Sequence, residues 1–285
     1  MRRLIVNADD FGLTSGVNRA ITEGNRFGIV TSATLMANAK STNAAIDLAK
    51  AEPGLKTGCH VVLIDGIPLT ASLPTLTNGS PNFRSSLKQF AIAAVRGQIA
   101  ADEIQQEAEA QIRKLQSCGI TLTHLDSHKH THMFPHILRP LVRAAKTCGI
   151  RAVRNPFEPI RCWPTGMVFG SPGLWLRSAG VLTFQMFAAE FWRILNDEEM
   201  VSTDGTVGIA VTGLLNQQKL LQILEALPYG TWELVCHPGY SDSDLQAAGT
   251  RLTKSREIEL SALTSEETKR ALARHEIELI SYADL

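Results

Sequence analysis

Short β-rich runs alternate with helical patterns along most of the chain, and this alternation restricts the fold more than any other feature. Leu4–Asn7, Thr31–Met36, Lys56–Ile64, Ile120–Leu125, Ala152–Arg154, Thr206–Val211, Trp232–Cys236 and Glu276–Ser281 read as strands. Helical patterns separate them: from Thr14 or Ser15 to about Asn25, then Ser41–Lys50, Ala100–Cys118, His136–Cys148, Asn216–Leu227 and Ser265–Arg274. In the clearest of these, Ile104, Ala108, Ile112 and Leu115 form one apolar stripe and Gly119 can close the helix. Such alternation predicts a parallel sheet with helices outside. Seven or eight units predict closure into a TIM-like (β/α) barrel, regular or distorted, with a doubly wound open sheet as the runner-up. The 285 residues suit one barrel domain spanning 1–285.

One stretch, at about 156–205, breaks the rhythm and reads as an irregular, partly apolar insertion. Pro156–Pro172 is loop-like, and Gly173–Leu195 is strongly apolar but interrupted by Arg177, Gln185, Glu190 and Arg193. A membrane-spanning helix needs about twenty mostly apolar residues, so no transmembrane segment is expected. The stretch could instead be an extra helix packed on the barrel, a homodimer contact, or a wall or lid that meets an apolar substrate or a membrane surface.

Lys plus Arg and Asp plus Glu both number 28, so the chain lacks the basic surplus of a nucleic-acid binder. Its five cysteines form no C-x-x-C pair and read as reduced thiols of a cytoplasmic protein. The apolar run after Met1-Arg2-Arg3 is too short for a signal peptide.

Polar residues gather at the C-terminal ends of the expected strands, the face on which βα barrels place their active sites. These segments are Asn7-Ala8-Asp9-Asp10, Gly58-Cys59-His60, His124 to His132, Val153-Arg154-Asn155 and Cys236-His237-Pro238-Gly239. Six of the eight histidines fall in them, a placement that packing alone does not explain. His128, His130 and His132 share one side if extended and fan out if they sit in a turn; Lys129, between them, is expected to face solvent. Two imidazoles and a carboxylate make a divalent-metal set. A solvated hydrogen-bonded turn is the alternative. Asp9 and Asp10 are adjacent acids, costly unless a cation separates their roles.

N-A-D-D-F-G at 7–12, G-C-H at 58–60 and H-L-D-S-H-K-H-T-H-M-F-P at 124–135 resemble the YdjC-like family of carbohydrate deacetylases. The likeness runs from Leu4 to the closing I-E-L-I-S-Y-A-D-L, nearly the whole chain, and is weakest over 156–205. It implies a (β/α) barrel related to the NodB-type polysaccharide deacetylases. It also implies metal ligands at Asp10, His60 and His128, a general base at Asp9 and a general acid at His237. The implied substrate carries N-acetylglucosamine, either a chito-oligosaccharide or a glycolipid such as an N-acetylglucosaminyl hopanoid, since the opening and closing segments are closest to the hopanoid-associated branch. The implied cofactor is one divalent ion per chain. Its ligand types favour zinc, manganese or cobalt over magnesium, which the resemblance leaves open.

Around this set, Asp126 would orient a ligand histidine or cap the turn. Arg154 would hold Asp9, contact a sugar hydroxyl or form a surface ion pair. His130 and His132 would lie behind the ligands or face the sugar. His124, His136 and His275 carry no expected role in the chemistry. Two other functions remain open on the residues alone: an amidohydrolase- or phosphoesterase-type barrel with two or more metals, and a sugar-binding protein without chemistry.

Overall fold

The computed structural model describes residues 1–159 and 184–285. Cys162 and residues 160–183 of the apolar insertion lie outside the described residues.

Among the described residues, eight parallel strands form one sheet: β1 (Arg2–Phe11), β2 (Ser32–Leu35), β3 (Lys56–Val61), β4 (Leu122–Ser127), β5 (Ala152–Val153), β6 (Gly205–Val207), β7 (Gly230–Cys236) and β8 (Ile277–Ile280). Seven run in the order β5-β4-β3-β2-β1-β7-β6, and β8 pairs with Arg2–Ile5 of β1. The two edges approach each other through Val153 N to Val201 O and Thr206 N to Phe157 O, each 3.0 Å. The sheet therefore curls into a distorted (β/α) barrel with helices outside. Strands of a sheet covered by helices are buried on both faces and read as apolar runs, as Leu4-Ile5-Val6 in β1 and Trp232 and Leu234 in β7 illustrate.

Three sequence expectations are corrected. The sixth strand does not reach Val211: it ends at Val207, and the chain turns at Gly208, whose φ is 99°. The buried Glu158 carboxylate explains the turn, since it accepts from Gly208 N at 2.9 Å and Ala210 N at 2.7 Å. Between β3 and Ala101, where the sequence pattern marks no element, the chain forms helices Pro74–Thr77 and Leu87–Val95. This stretch is tied to the Ala101–Ser117 helix by Glu107, which accepts from Leu69 N and Thr70 N, and by Glu103, which accepts from Leu76 N. A further helix, Lys254–Thr264, was not anticipated.

Of the insertion, Gln185–Phe187 forms a 3₁₀ turn and Ala188–Asp197 a helix that buries Phe191, Ile194 and Leu195. No helix among the described residues is long and apolar enough to cross a membrane.

Candidate active site

At the mouth of β1 the backbone breaks its pleat. Ala8 pairs with Ala33 and Phe11 with Leu35, so three steps on β1 face two on β2. Asp10 takes up the extra residue with φ 66°, a left-handed conformation uncommon outside glycine. Adjacent residues of a regular strand point to opposite faces. The bulge instead lets both acids serve one cavity end while keeping different partners.

Asp10 faces two histidines and an arginine. Its Oδ1 lies 3.5 Å from His60 Nε2 and 3.2 Å from His128 Nδ1, and those two nitrogens are 3.3 Å apart. Metal–ligand bonds of about 2.0–2.2 Å at near-tetrahedral angles place ligand atoms about 3.3–3.5 Å apart, so the three donors fit a divalent ion. The other oxygen of Asp10 accepts from Arg256 Nη2 at 2.5 Å. On the far side of the His60 ring, Nδ1 meets Asp126 Oδ1 at 2.7 Å, the carboxylate support that ligand imidazoles ordinarily have. Burial disfavours a charged His60, yet Asp126, Asp10 and Asp9 raise it to about 10. The surroundings thus demand positive charge at this ring, which a cation on Nε2 would supply as well as a proton.

Asp9 is held by Arg154. The guanidinium is fully buried and meets three carboxylates. Nη1 donates to Asp9 Oδ2 at 2.8 Å and lies in an ion pair 2.6 Å from Asp126 Oδ2. Nη2 donates to Asp9 Oδ1 at 2.6 Å and Nε to Glu233 Oε1 at 2.8 Å, with Nη2 also ion-paired 2.6 Å from Glu233 Oε1. Complete burial excludes the surface ion pair and sets the guanidinium behind the carboxylates rather than against a sugar hydroxyl. Burial alone would raise the Asp9 carboxyl, but Arg154 holds it well below the usual carboxylate range. For Glu233 burial prevails over Arg154 and Tyr282 and pushes the carboxyl to about 7. Asp9, His60 and Asp126 form a second group with metal-compatible spacing. The guanidinium already lies between its two carboxylates.

His237 closes the opposite side, with Nε2 3.9 Å from Asp9 Oδ2. Burial lowers it to about 4 against the pull of Asp9 and Asp10. Glu259 accepts from its backbone N–H at 2.6 Å and lies 3.9 Å from Nδ1. Burial raises Glu259 to about 7.

The histidines after β4 sit in a 3₁₀ turn and fan out, because Lys129 and His130 adopt φ of 55° and 53°. Lys129 does not point freely into solvent: its Nζ pairs with Asp65, which also lies 3.9 Å from His128 Nε2. His132 is buried, bonded to Ser127 Oγ through Nδ1 at 2.6 Å, while its Nε2 and His130 Nδ1 have no hydrogen-bond partner among the described residues. Burial pushes His130 down to about 3. His124 stacks on Tyr282 inside the barrel with centroids 3.8 Å apart, and His136 bonds Ile99 O. The fold therefore brings Asp9, Asp10, His60, His128, Asp126, Arg154 and His237 into one cluster.

Sequence reasoning missed Arg256, Glu259, Glu233, Asp65 and Tyr282. The first two lie one turn apart on a helix whose inward positions are partly charged, which blurred its apolar period. Glu233 was legible only as a charge inside an apolar strand.

The family model for YdjC-like protein matches residues 3–274. The chain belongs to the YdjC-like family. Among its relatives, a carbohydrate deacetylase of Brevibacillus brevis is 34% identical over 99% of both chains. A carbohydrate deacetylase of Vibrio parahaemolyticus is also 34% identical, over 99% of this chain and 96% of the relative. A solved Enterococcus faecalis protein, named for cellobiose-phosphate cleavage, shares the fold of this YdjC-like chain: TM-score 0.80, 23% identity, covering 99% of this chain and 98% of that one.

Proposed function

We propose that this chain is a metal-dependent carbohydrate deacetylase that hydrolyses the N-acetyl group of an N-acetylglucosamine-containing substrate. The observation that carries the reading is the contrast between Asp9 and Asp10: Arg154 forks onto both oxygens of Asp9, whereas Arg256 takes one oxygen of Asp10 and leaves the other facing His60 and His128 in a three-donor group that could hold a metal. The full-length likeness to carbohydrate deacetylases supports the reaction class.

Asp10, His60 and His128 would hold the ion. A divalent cation there would acidify water and polarise the amide carbonyl. Asp9, kept ionised and oriented by Arg154, accepts the proton of the attacking water. The Arg154 charge lowers its proton affinity, so it is a weak base whose strength lies in placement. His237, within 3.9 Å of Asp9, donates a proton to the departing amine. It is neutral at rest, so it must first gain that proton, and Asp9, once it has taken the proton of the water, lies 3.9 Å from Nε2 to supply it. Asp126 fixes the His60 ring, while His130 and His132 line the turn beside the ligands.

The two-metal reading loses ground because Arg154 already neutralises the second carboxylate group. A binding module without chemistry has no use for an oriented acid beside a metal set.

The test is a panel of N-acetylated sugars, chito-oligosaccharides and an N-acetylglucosaminyl lipid, read by mass spectrometry. Loss of one acetyl group, abolished by chelator and reduced about 10²–10⁴-fold by Asp9→Asn, supports the proposal. Phosphoester cleavage with every N-acetyl group untouched refutes it.

A further inference from the structure

Tyr282 lies outside the three-donor group, on the 3₁₀ turn that follows β8. A capping box fixes that turn: Ser281 Oγ accepts from Ala283 N, and Asp284 Oδ2 accepts from Ser281 N at 2.8 Å. The box turns Tyr282 inward, where it is 3% exposed and packs with Ile5 and Ala152.

Two chains of contact lead from this side chain to Asp9. The hydroxyl donates to Glu233 Oε2, and the other oxygen of Glu233 accepts from Arg154 Nε and is ion-paired with its Nη2, while the two terminal nitrogens fork onto Asp9. The ring stacks on His124 at 9° between planes. His124 Nε2 meets Asn7 Oδ1 at 3.1 Å, and Asn7 Nδ2 donates to Asp9 Oδ1 at 3.1 Å. Both routes end on the same carboxylate.

We propose that Tyr282, with Glu233, is a positioning residue that sets the plane of the Arg154 guanidinium and, through it, the direction in which the Asp9 carboxylate faces. This rests on Asp9 being the proton acceptor of the proposed deacetylase. The physical reason is donor accounting. Arg154 has five N–H groups and three carboxylates competing for them. A guanidinium in a ring of acids can rotate among several forks unless one acid is itself fixed. Glu233 is fixed by the Tyr282 hydroxyl, so the edge left for Asp9 is fixed too. Misplacing a reacting group by about 1 Å can cost about 10²-fold in rate.

The experiment compares kcat and KM of wild type, Tyr282→Phe and Tyr282→Leu on the best N-acetylated sugar of the panel, with melting temperature alongside. Tyr282→Phe cuts the hydroxyl route and keeps the ring on His124; Tyr282→Leu cuts both. The expected result is a kcat about 5–20-fold lower for Phe and about 10²-fold lower for Leu, within the 1 Å penalty above. KM stays within about twofold for Phe, because substrate contacts are untouched. A Phe variant with wild-type kcat, or with KM rising as much as kcat falls, overturns the proposal. Crystal structures of wild type and Tyr282→Phe read the same device without turnover. A twisted or opened Arg154–Asp9 fork supports it, and a superimposable fork overturns it. An inactive wild type would sink the deacetylase reading, while the fork comparison would still judge the role of Tyr282.

Discussion

Arg154 grips Asp9 with both terminal nitrogens, at 2.8 and 2.6 Å, and neither side chain is more than 4% exposed. The same guanidinium counters Asp126 and Glu233, so one positive charge serves three buried acids. Removing one partner of a buried pair leaves uncompensated charge, typically at a cost of about 3–5 kcal/mol. Arg154→Met is expected to lose that much by chemical denaturation. Arg154→Lys restores charge but not the planar fork, so it should recover part of the stability while kcat stays at least about 10-fold below wild type. A lysine variant with wild-type kcat would show that the fork is dispensable.

The metal set predicts stoichiometry. Asp10, His60 and His128 form one three-donor group, and elemental analysis of protein reconstituted with zinc or manganese should find one ion per chain. Asp10→Asn weakens a ligand without adding bulk and should lower affinity by calorimetry. An ion bound only to the folded state stabilises it by about 2.7 kcal/mol at a hundredfold excess over Kd, so the wild type should melt higher with metal than with chelator. Two ions per chain would revive the binuclear alternative.

Gly58 tests the packing beneath the site. A Cβ there would come within 2.5–2.7 Å of the His124 ring, which is clamped against Tyr282. The ring cannot retreat without breaking its bond to Asn7. Gly58→Ala should therefore destabilise the fold by about 1–3 kcal/mol, the usual penalty for overpacking, seen as a lower melting temperature. An unchanged melting temperature would mean that His124 is free to move.

The barrel and the core of the site were legible in the sequence for one physical reason: parallel strands announce themselves as apolar runs, and polar residues at their ends have few explanations besides a site. Asp9, Asp10, His60, His128 and His237 all stand at such ends. What stayed hidden is what faces inward against the pattern. Arg256 and Glu259 are buried charges on a helix, so they look like its solvent face. Tyr282 follows the last strand and could pass for any turn residue, and its burial depends on the capping box beyond it. The end of β6 at Val207 was misplaced because Ile209–Val211 is apolar, whereas a buried carboxylate far away in sequence, Glu158, captures the backbone there.

His132 gives the chain a pH dependence that can be isolated. Its side chain is buried, and burial together with His130 and Arg154 holds it well below the ordinary histidine value. The folded state therefore keeps it neutral at pH values where the unfolded chain, titrating near 6.5, takes up a proton. Proton uptake by the unfolded state draws the equilibrium toward unfolding as pH falls below about 6.5. Between pH 7 and pH 5 this one group should remove about 2 kcal/mol of stability, on the scale of 1.36 kcal/mol per unit. Glu233 and Glu259, raised to about 7, act in the opposite sense and gain protons in the fold over the same range, so the wild-type curve alone is ambiguous. His132→Gln keeps a partner for Ser127 and removes only the titration. The difference between wild type and variant, by urea denaturation at pH 7 and pH 5, should show wild type losing about 2 kcal/mol more on acidification. Parallel curves would mean that His132 is protonated in the folded protein at pH 5, and that its unpartnered Nε2 has a partner in solution.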